Sequence, residues 1–201
     1  MLLSCLAKCD LYEHVLFNGR PLIPSISKIQ RLIETAWQKG FDRAGCEQLG
    51  GRVINTTKWI GATEIVATLS SLKIKCQLID FHTPTGSNST HPQLFEWVKS
   101  YFKNVDKYKP PLYLQHQGHS RTIIGLEQTK DGSLRLLLFD PSCRKPQMTQ
   151  FLQDISPNLM RTLRRPLHTL KAKQYQIVSI QGVLTDKEYQ ESKMLKSEQI
   201  P

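Results

Sequence analysis

Two short stretches carry the residue types that proton-transfer chemistry needs. One is Gln115-His116-Gln117-Gly118-His119-Ser120; the other is Asp140-Pro141-Ser142. Both read as parts of one antiparallel hairpin, with Lys130-Asp131-Gly132 as its turn. For His119 to face Asp140, the turn must centre near position 129 or 130. The Asp131-Gly132 signal lies about two residues away, within the usual error in placing loops. The spacing therefore predicts Asp140 beside His119 on the neighbouring strand. A carboxylate there would fix the imidazole tautomer and stabilise the imidazolium. The residues alone leave a blander reading open: a hydrogen-bonded histidine in a hairpin and a strand-ending Asp-Pro turn.

No nucleophile completes the set by spacing. Ser120 adjoins His119, and strand neighbours point to opposite faces. Cys143 follows Asp140 in the turn. Cys5 and Cys9 lie four apart on one helix face among Leu2, Leu3 and Leu6, and read as small buried thiols.

The elements that must hold these residues follow from periodicity and punctuation. Met1 to Leu6 is already an apolar helical pattern with no cap ahead of it, and this predicts a helix whose first turn lies upstream, with a helix that starts at the terminus and frays there as the alternative. Pro21 and Pro24 end that segment. Ser25 or Ser27 caps a second helix, with Ile26, Ile29, Ile33, Ala36 and Trp37 on one face and Gly40 as its stop. Asp42 to Gly51 reads as a short polar helix and loop. Thr57 can cap a third helix containing Trp59, Ile60, Ile65, Val66 and Leu69. The period then changes to that of a strand over Lys75–Phe81. A polar loop spans Thr83 to Thr90, and a helix His91 to Phe102. Lys103 to Pro111 is a charged connection. Leu112–Gln115, His119–Leu126 and Leu134–Phe139 read as strands, and Arg144 to His168 as broken basic helix. Gln174–Gln181 is a further strand, and Asp186 to Lys196 a loosely docked terminal helix. The order is that of an α+β fold, with N-terminal helices packed on a mostly antiparallel sheet.

The 201 residues fit a single domain over 1–201, with an ordinary 39% hydrophobic and 22% charged content. No run approaches the ~20 apolar residues of a membrane span. Five scattered cysteines lack any CxxC or zinc spacing, so reduced thiols and no metal are expected. Twenty-seven Lys+Arg against seventeen Asp+Glu give a net charge of +10. This favours polyanions in general. Arg144, Lys145, Arg161, Arg164, Arg165, Lys171 and Lys173 could track phosphates. They lack interleaved aromatics, so a solvated basic face is favoured and nucleic acid is not expected as a partner.

Three stretches carry a resemblance: Trp59-Ile60-Gly61-Ala62-Thr63-Glu64, His116-Gln117-Gly118-His119-Ser120-Arg121-Thr122 and Leu137-Leu138-Phe139-Asp140-Pro141. They resemble the papain-like cysteine peptidases that include the ubiquitin-fold-modifier-specific enzymes. The likeness runs over nearly the whole chain, to Ile200-Pro201. It implies a papain-like fold in which His119 is the general base and Asp140 its orienter. Relatives directed at the modifier carry Asp-Pro-His where this chain has Asp140-Pro141-Ser142, so the resemblance is to the ubiquitin-directed branch. It implies a monomeric deubiquitinase of the nucleus and cytoplasm, without cofactor, acting on ubiquitin or polyubiquitin chains. By resemblance, Asp42, Trp59 and Glu64 lie near the groove for the ubiquitin tail; the residues alone leave a helix-stop aspartate, a core tryptophan and a solvated glutamate open.

The family's nucleophile sits in a Gly-Trp-Gly-Cys-Gly-Tyr-Arg stretch just before the segment matching Met1-Leu2-Leu3-Ser4. The resemblance therefore implies that the catalytic cysteine is missing here. Cys5 would lie about three turns on, roughly 16 Å away at 1.5 Å per residue. An inactive chain is expected, with a non-catalytic ubiquitin-binding module as the alternative.

Overall fold

The computed structural model describes all residues except 18, 21, 104–107, 154 and 155; the side chains of 145, 151, 152, 158 and 159 are also not described. Part of the expected 103–111 connection, and the Lys145 side chain, thus lie outside the described residues. The chain divides into two compact units, residues 1–79 with 177–198, and residues 80–176 with 199–201.

In the first unit, helices α1 (Leu2–Leu6) and α2 (Asp10–Phe17) are separate, broken at residues 7–9. Helix α3 (Ile26–Gln38) starts where Ser25 caps it, its side chain accepting from the Lys28 N–H at 3.3 Å. Ile33, Ala36 and Trp37 face the core as the periodicity predicts, but Ile26, in the first turn, is 78% exposed. Helix α4 (Arg43–Gln48) follows. The third apolar helix starts later than expected: α5 (Ala62–Ser71) is capped at Gly61, not Thr57. The intervening loop belongs to α3 instead. Glu34 accepts from the N–H groups of Val53 and Ile54, both at 2.8 Å, and Gln30 donates to the Thr56 carbonyl at 3.0 Å. Trp37, Ile33 and Val53 form one core cluster there; Ala36, Phe41 and Ala67 form another, against which Tyr189 packs.

Strands β1 (Ile74–Phe81) and β6 (Tyr175–Val183) match the expected strands within two residues at each end. The terminal helix is shorter than the expected Asp186 to Lys196 and buries none of its residues. Helix α9 (Asp186–Glu191) is tied by Lys73–Asp186 at 2.9 Å and Lys75–Glu188 at 2.5 Å. It is followed by an unanticipated strand, β7 (Ser197–Ile200), and within this unit the order is β6-β1-β7.

The second unit holds helix α6 (Pro92–Lys103), which buries Leu94, Phe95 and Val98, and a meander of β2 (Leu112–His116), β3 (His119–Gln128) and β4 (Leu134–Phe139). Helices α7 (Lys145–Gln153) and α8 (Pro157–Leu163) lead into a short strand β5 (Arg164–Pro166) that pairs with β4. The sheet order here is β5-β4-β3-β2, antiparallel throughout. The α+β class is as expected: helices with a mostly antiparallel sheet.

Candidate active site

The β2–β3 turn is two residues long. Gln117 and Gly118 both have positive φ, 44° and 78°, as a turn matching the strand twist requires. This sets His116 directly opposite His119, their ring centroids 5.5 Å apart. Alternation then places His119, Arg121 and Ile123 on one face of β3, with His116, Leu114 and Leu112 beside them on β2. Leu112, Leu114, Ile123 and Leu138 are 0–1% exposed, so this face is an apolar floor with a polar rim. Ser120 lies on the other face, 2.6 Å from the Tyr113 hydroxyl.

The β3–β4 register corrects the expected pairing. Thr122 pairs with Phe139 and Ile123 with Leu138, so the position abreast of Asp140 is Arg121, not His119. The physical reason is the turn, which closes over Thr129 to Ser133, further along than His119–Asp140 pairing requires. Asp140 and His119 still share a face, offset by one pleat. Arg121 Nε donates to Asp140 Oδ2 at 2.6 Å, and the Ser142 N–H donates to Oδ1 at 3.0 Å. Burial raises the Asp140 carboxyl, but these hydrogen bonds and the Arg121 charge outweigh it and hold the group well below the usual carboxylate range. Each oxygen keeps a lone pair for a further donor.

His116 was not singled out by the sequence, although two strand runs separated by Gln-Gly are a signal for its placement. Its Nε2 lies 2.5 Å from Arg121 Nη1. Arginine can only donate, so this imidazole is neutral and carries its proton on Nδ1. Nδ1 is buried and unpartnered among the described residues. Burial, then the charges of Arg121 and His119, push the His116 pKa down, with Asp140 opposing. His119 is exposed and, among the described residues, makes no side-chain hydrogen bond. His116, Arg121 and Asp140 thus form a continuous hydrogen-bonded row beside a free imidazole.

The other candidate residues lie in the first unit. Asp42 adopts a left-handed φ of 46° and caps α4, accepting from the Gly45 N–H at 3.1 Å. Glu64 accepts from the Gly61 N–H at 2.6 Å and from the Thr63 hydroxyl at 3.1 Å. The two carboxylates meet over Gly45: a Cβ there would lie 2.2 Å from Asp42 Oδ2 and 3.0 Å from Glu64 Oε1. Both residues are buried, at 8% and 5% exposure, and Asp42 Oδ2 has no partner among the described residues. Burial pushes the Asp42 carboxyl up; the Gly45 N–H opposes this and the Glu64 charge adds to it. Trp59 is neither core nor helix: it is 74% exposed on the loop pinned to α3. Among the described residues no group of three or more His, Cys, Asp or Glu could hold a metal, and no helix is long and apolar enough to cross a membrane.

A histidine and an aspartate lie on adjoining strands above an apolar floor, residue types that proton transfer needs. Residues 1–178 match Peptidase family C78, and the chain belongs to that family. Along its whole length the chain is 46% identical to zinc finger-containing ubiquitin peptidase 1 of Homo sapiens, and 45% identical to that of Macaca fascicularis. It spans 37% of the length of those relatives. Over 76% of the chain it is 34% identical to ubiquitin carboxyl-terminal hydrolase mug105 of Schizosaccharomyces pombe, of which it covers 60%. Among solved structures, UfSP from C. elegans aligns over 80% of this chain and 25% of that one, with TM-score 0.49 and 18% identity.

Proposed function

We propose that the chain is the base-bearing part of a papain-like thiol peptidase that cleaves after the C-terminal glycine of ubiquitin, including isopeptide bonds in polyubiquitin. The observation that carries this reading is the placement of His119 and Asp140 on one face of the β2–β3–β4 meander in a member of a peptidase family. In this reaction His119 takes the proton of a cysteine thiol, and the thiolate attacks the scissile carbonyl. The imidazolium then returns the proton to the departing lysine amine, leaving a thioester. Water, deprotonated by the same imidazole, hydrolyses the thioester. Asp140, held by Arg121 and the Ser142 N–H, would turn a free lone pair to His119 and stabilise the imidazolium.

On this reading the nucleophile is none of Cys5, Cys9, Cys46, Cys76 or Cys143. His119 has no hydrogen-bond partner among the described residues, and burial pushes the Cys76 thiol up, the reverse of activation. The 201-residue chain should therefore leave a fluorogenic ubiquitin conjugate uncleaved. Turnover abolished by His119→Ala would overturn this.

A second reading, a non-catalytic ubiquitin-binding module, rests on the paired carboxylates of Asp42 and Glu64 and on the exposure of Trp59. The ubiquitin tail is basic, and a guanidinium would satisfy the orphaned Asp42 oxygen. Titration with labelled ubiquitin should saturate. Asp42→Asn with Glu64→Gln should weaken it about tenfold or more if charged hydrogen bonds are lost. Unchanged affinity in a folded double variant argues against both acidic residues as tail contacts.

A further inference from the structure

Arg164 and Arg165 belong to the basic stretch that neither the peptidase chemistry nor the ubiquitin tail uses. The fold separates them. β5 pairs Leu137 with Arg164 and Leu136 with Arg165, so alternation sends them to opposite faces of the sheet. Arg164 forks onto Glu127, with bonds of 2.8 and 2.7 Å, and its charge is spent there. Arg165 lies on the face that carries Leu138 and Arg121. Among the described residues its Nη1 donates to the backbone carbonyls of Thr162 and Arg164, at 2.8 and 3.0 Å. Among the described residues no carboxylate reaches it. A half-buried guanidinium without a counter-ion is costly unless an anion or water meets it.

What it meets is a cleft of about 370 Å³, at the small end of ligand sites. Arg165 and Arg121 line it together with His116, Leu138, Leu170 and Tyr175, and Arg164, already paired with Glu127, also borders it. Arg121 spends Nε on Asp140 and Nη1 on His116, and its Nη2 has no partner among the described residues. Among the described residues Arg165 likewise keeps Nε and Nη2. Three uncommitted guanidinium nitrogens therefore serve one cleft that has an apolar wall. Two cations face one carboxylate, Asp140, with His116 neutral, so the cleft carries net positive charge. A basic peptide tail would be repelled from it.

We propose that this cleft binds a small phosphate monoester, its terminal oxygens on Arg165 and Arg121 and its apolar body against Leu138, Leu170 and Tyr175. Three terminal oxygens match three donors, where a carboxylate offers two. The volume exceeds what a bare phosphate fills, and the apolar wall rewards a ring or short chain.

The test is calorimetric titration of the 201-residue chain with phenyl phosphate, inorganic phosphate and benzoate, with histidine imidazole NMR shifts reporting the location. Phenyl phosphate should saturate and move the His116 signals, binding about tenfold more tightly than inorganic phosphate for the buried ring and more tightly than benzoate. Arg165→Gln should weaken it about tenfold or more through the lost charged donors. Arg165→Lys, which keeps the charge but not the fork, should fall between the two and covers the case in which the glutamine variant does not fold. No saturation at millimolar phenyl phosphate, equal binding by a folded Arg165→Gln chain, or benzoate binding as well as the monoester would each overturn the proposal. So would a short DNA duplex that binds with steep salt dependence and displaces phenyl phosphate, since the arginines would then belong to a nucleic-acid face.

Discussion

At the scale of single residues, Arg121 carries the most structural consequence. It ties an anionic Asp140 to a neutral His116, with side-chain exposures of 25% and 13% in the ion pair. Arg121→Gln should cost about 1–3 kcal/mol in denaturant unfolding, the range for losing a hydrogen bond to a charged group. It should also raise the Asp140 carboxyl toward its ordinary value, as a carboxyl-carbon NMR titration would read. A variant with unchanged stability and unchanged Asp140 titration would show that the guanidinium is replaceable by solvent. Gly45 is the second such residue. Its missing side chain is what lets two carboxylates approach, so Gly45→Ala must push Asp42 off its cap. Overpacking of this kind typically costs about 1–3 kcal/mol, measurable by urea unfolding. The orphaned Asp42 oxygen is the reason to watch ubiquitin affinity in the same variant.

At the scale of elements, caps and turns decided what the sequence could disclose. Ser25, one of two candidate caps, announced α3, and the change of period announced β1, β3, β4 and β6 to within two residues at each end. The α5 start was misplaced because Trp59 and Ile60 continue an apolar pattern, while Glu34 and Gln30 claim that backbone for a loop. No local signal reveals such a tertiary claim. The strands β5 and β7 were missed for a related reason: three and four residues, mostly polar, are strands only because a neighbour offers hydrogen bonds. That His119 and Asp140 lie on adjoining strands was legible; that Arg121, not His119, stands abreast of Asp140 was not, since it depends on which residues of 129–133 close the turn. The last helix offers an element-scale test. Thr185 caps α9 in a reciprocal box with Glu188, whose carboxyl the Lys75 ammonium and the Thr185 N–H and hydroxyl bring down to about 2. Thr185→Ala should cost about 1 kcal/mol. It should also release Glu188 upward, seen as a higher carboxyl pKa by NMR.

At the scale of the whole molecule, the titrating groups set how the fold responds to acid. His116 is depressed in the folded state, so stability is lost as pH falls below about 6.5, where the unfolded chain takes the proton first. Asp140 is depressed too; its contribution is present above about pH 4 and lost as pH falls further. Asp42 runs the other way: its pKa is raised, so its contribution is present at low pH and declines as pH rises through the folded value. Urea midpoints measured from pH 8 to 4 should therefore drop, and the drop should shrink in His116→Gln. Midpoints that rise on acidification would reverse the sign assigned to the histidine row. The ladder between β3 and β4 carries a bulge. Ile123 pairs with Leu138 and Gly125 with Leu137, so Ile124, 37% exposed, is a supernumerary residue that has no mate. Were the ladder straightened with Ile124 inside it, Asp140 would stand across from Thr122 and look away from both histidines. Removing Ile124 outright would leave Arg121 and Asp140 abreast. Homologous hairpins one residue shorter at this point can thus keep the same chemistry, and the count of positions separating the histidine from the aspartate is free to vary while their phase is not.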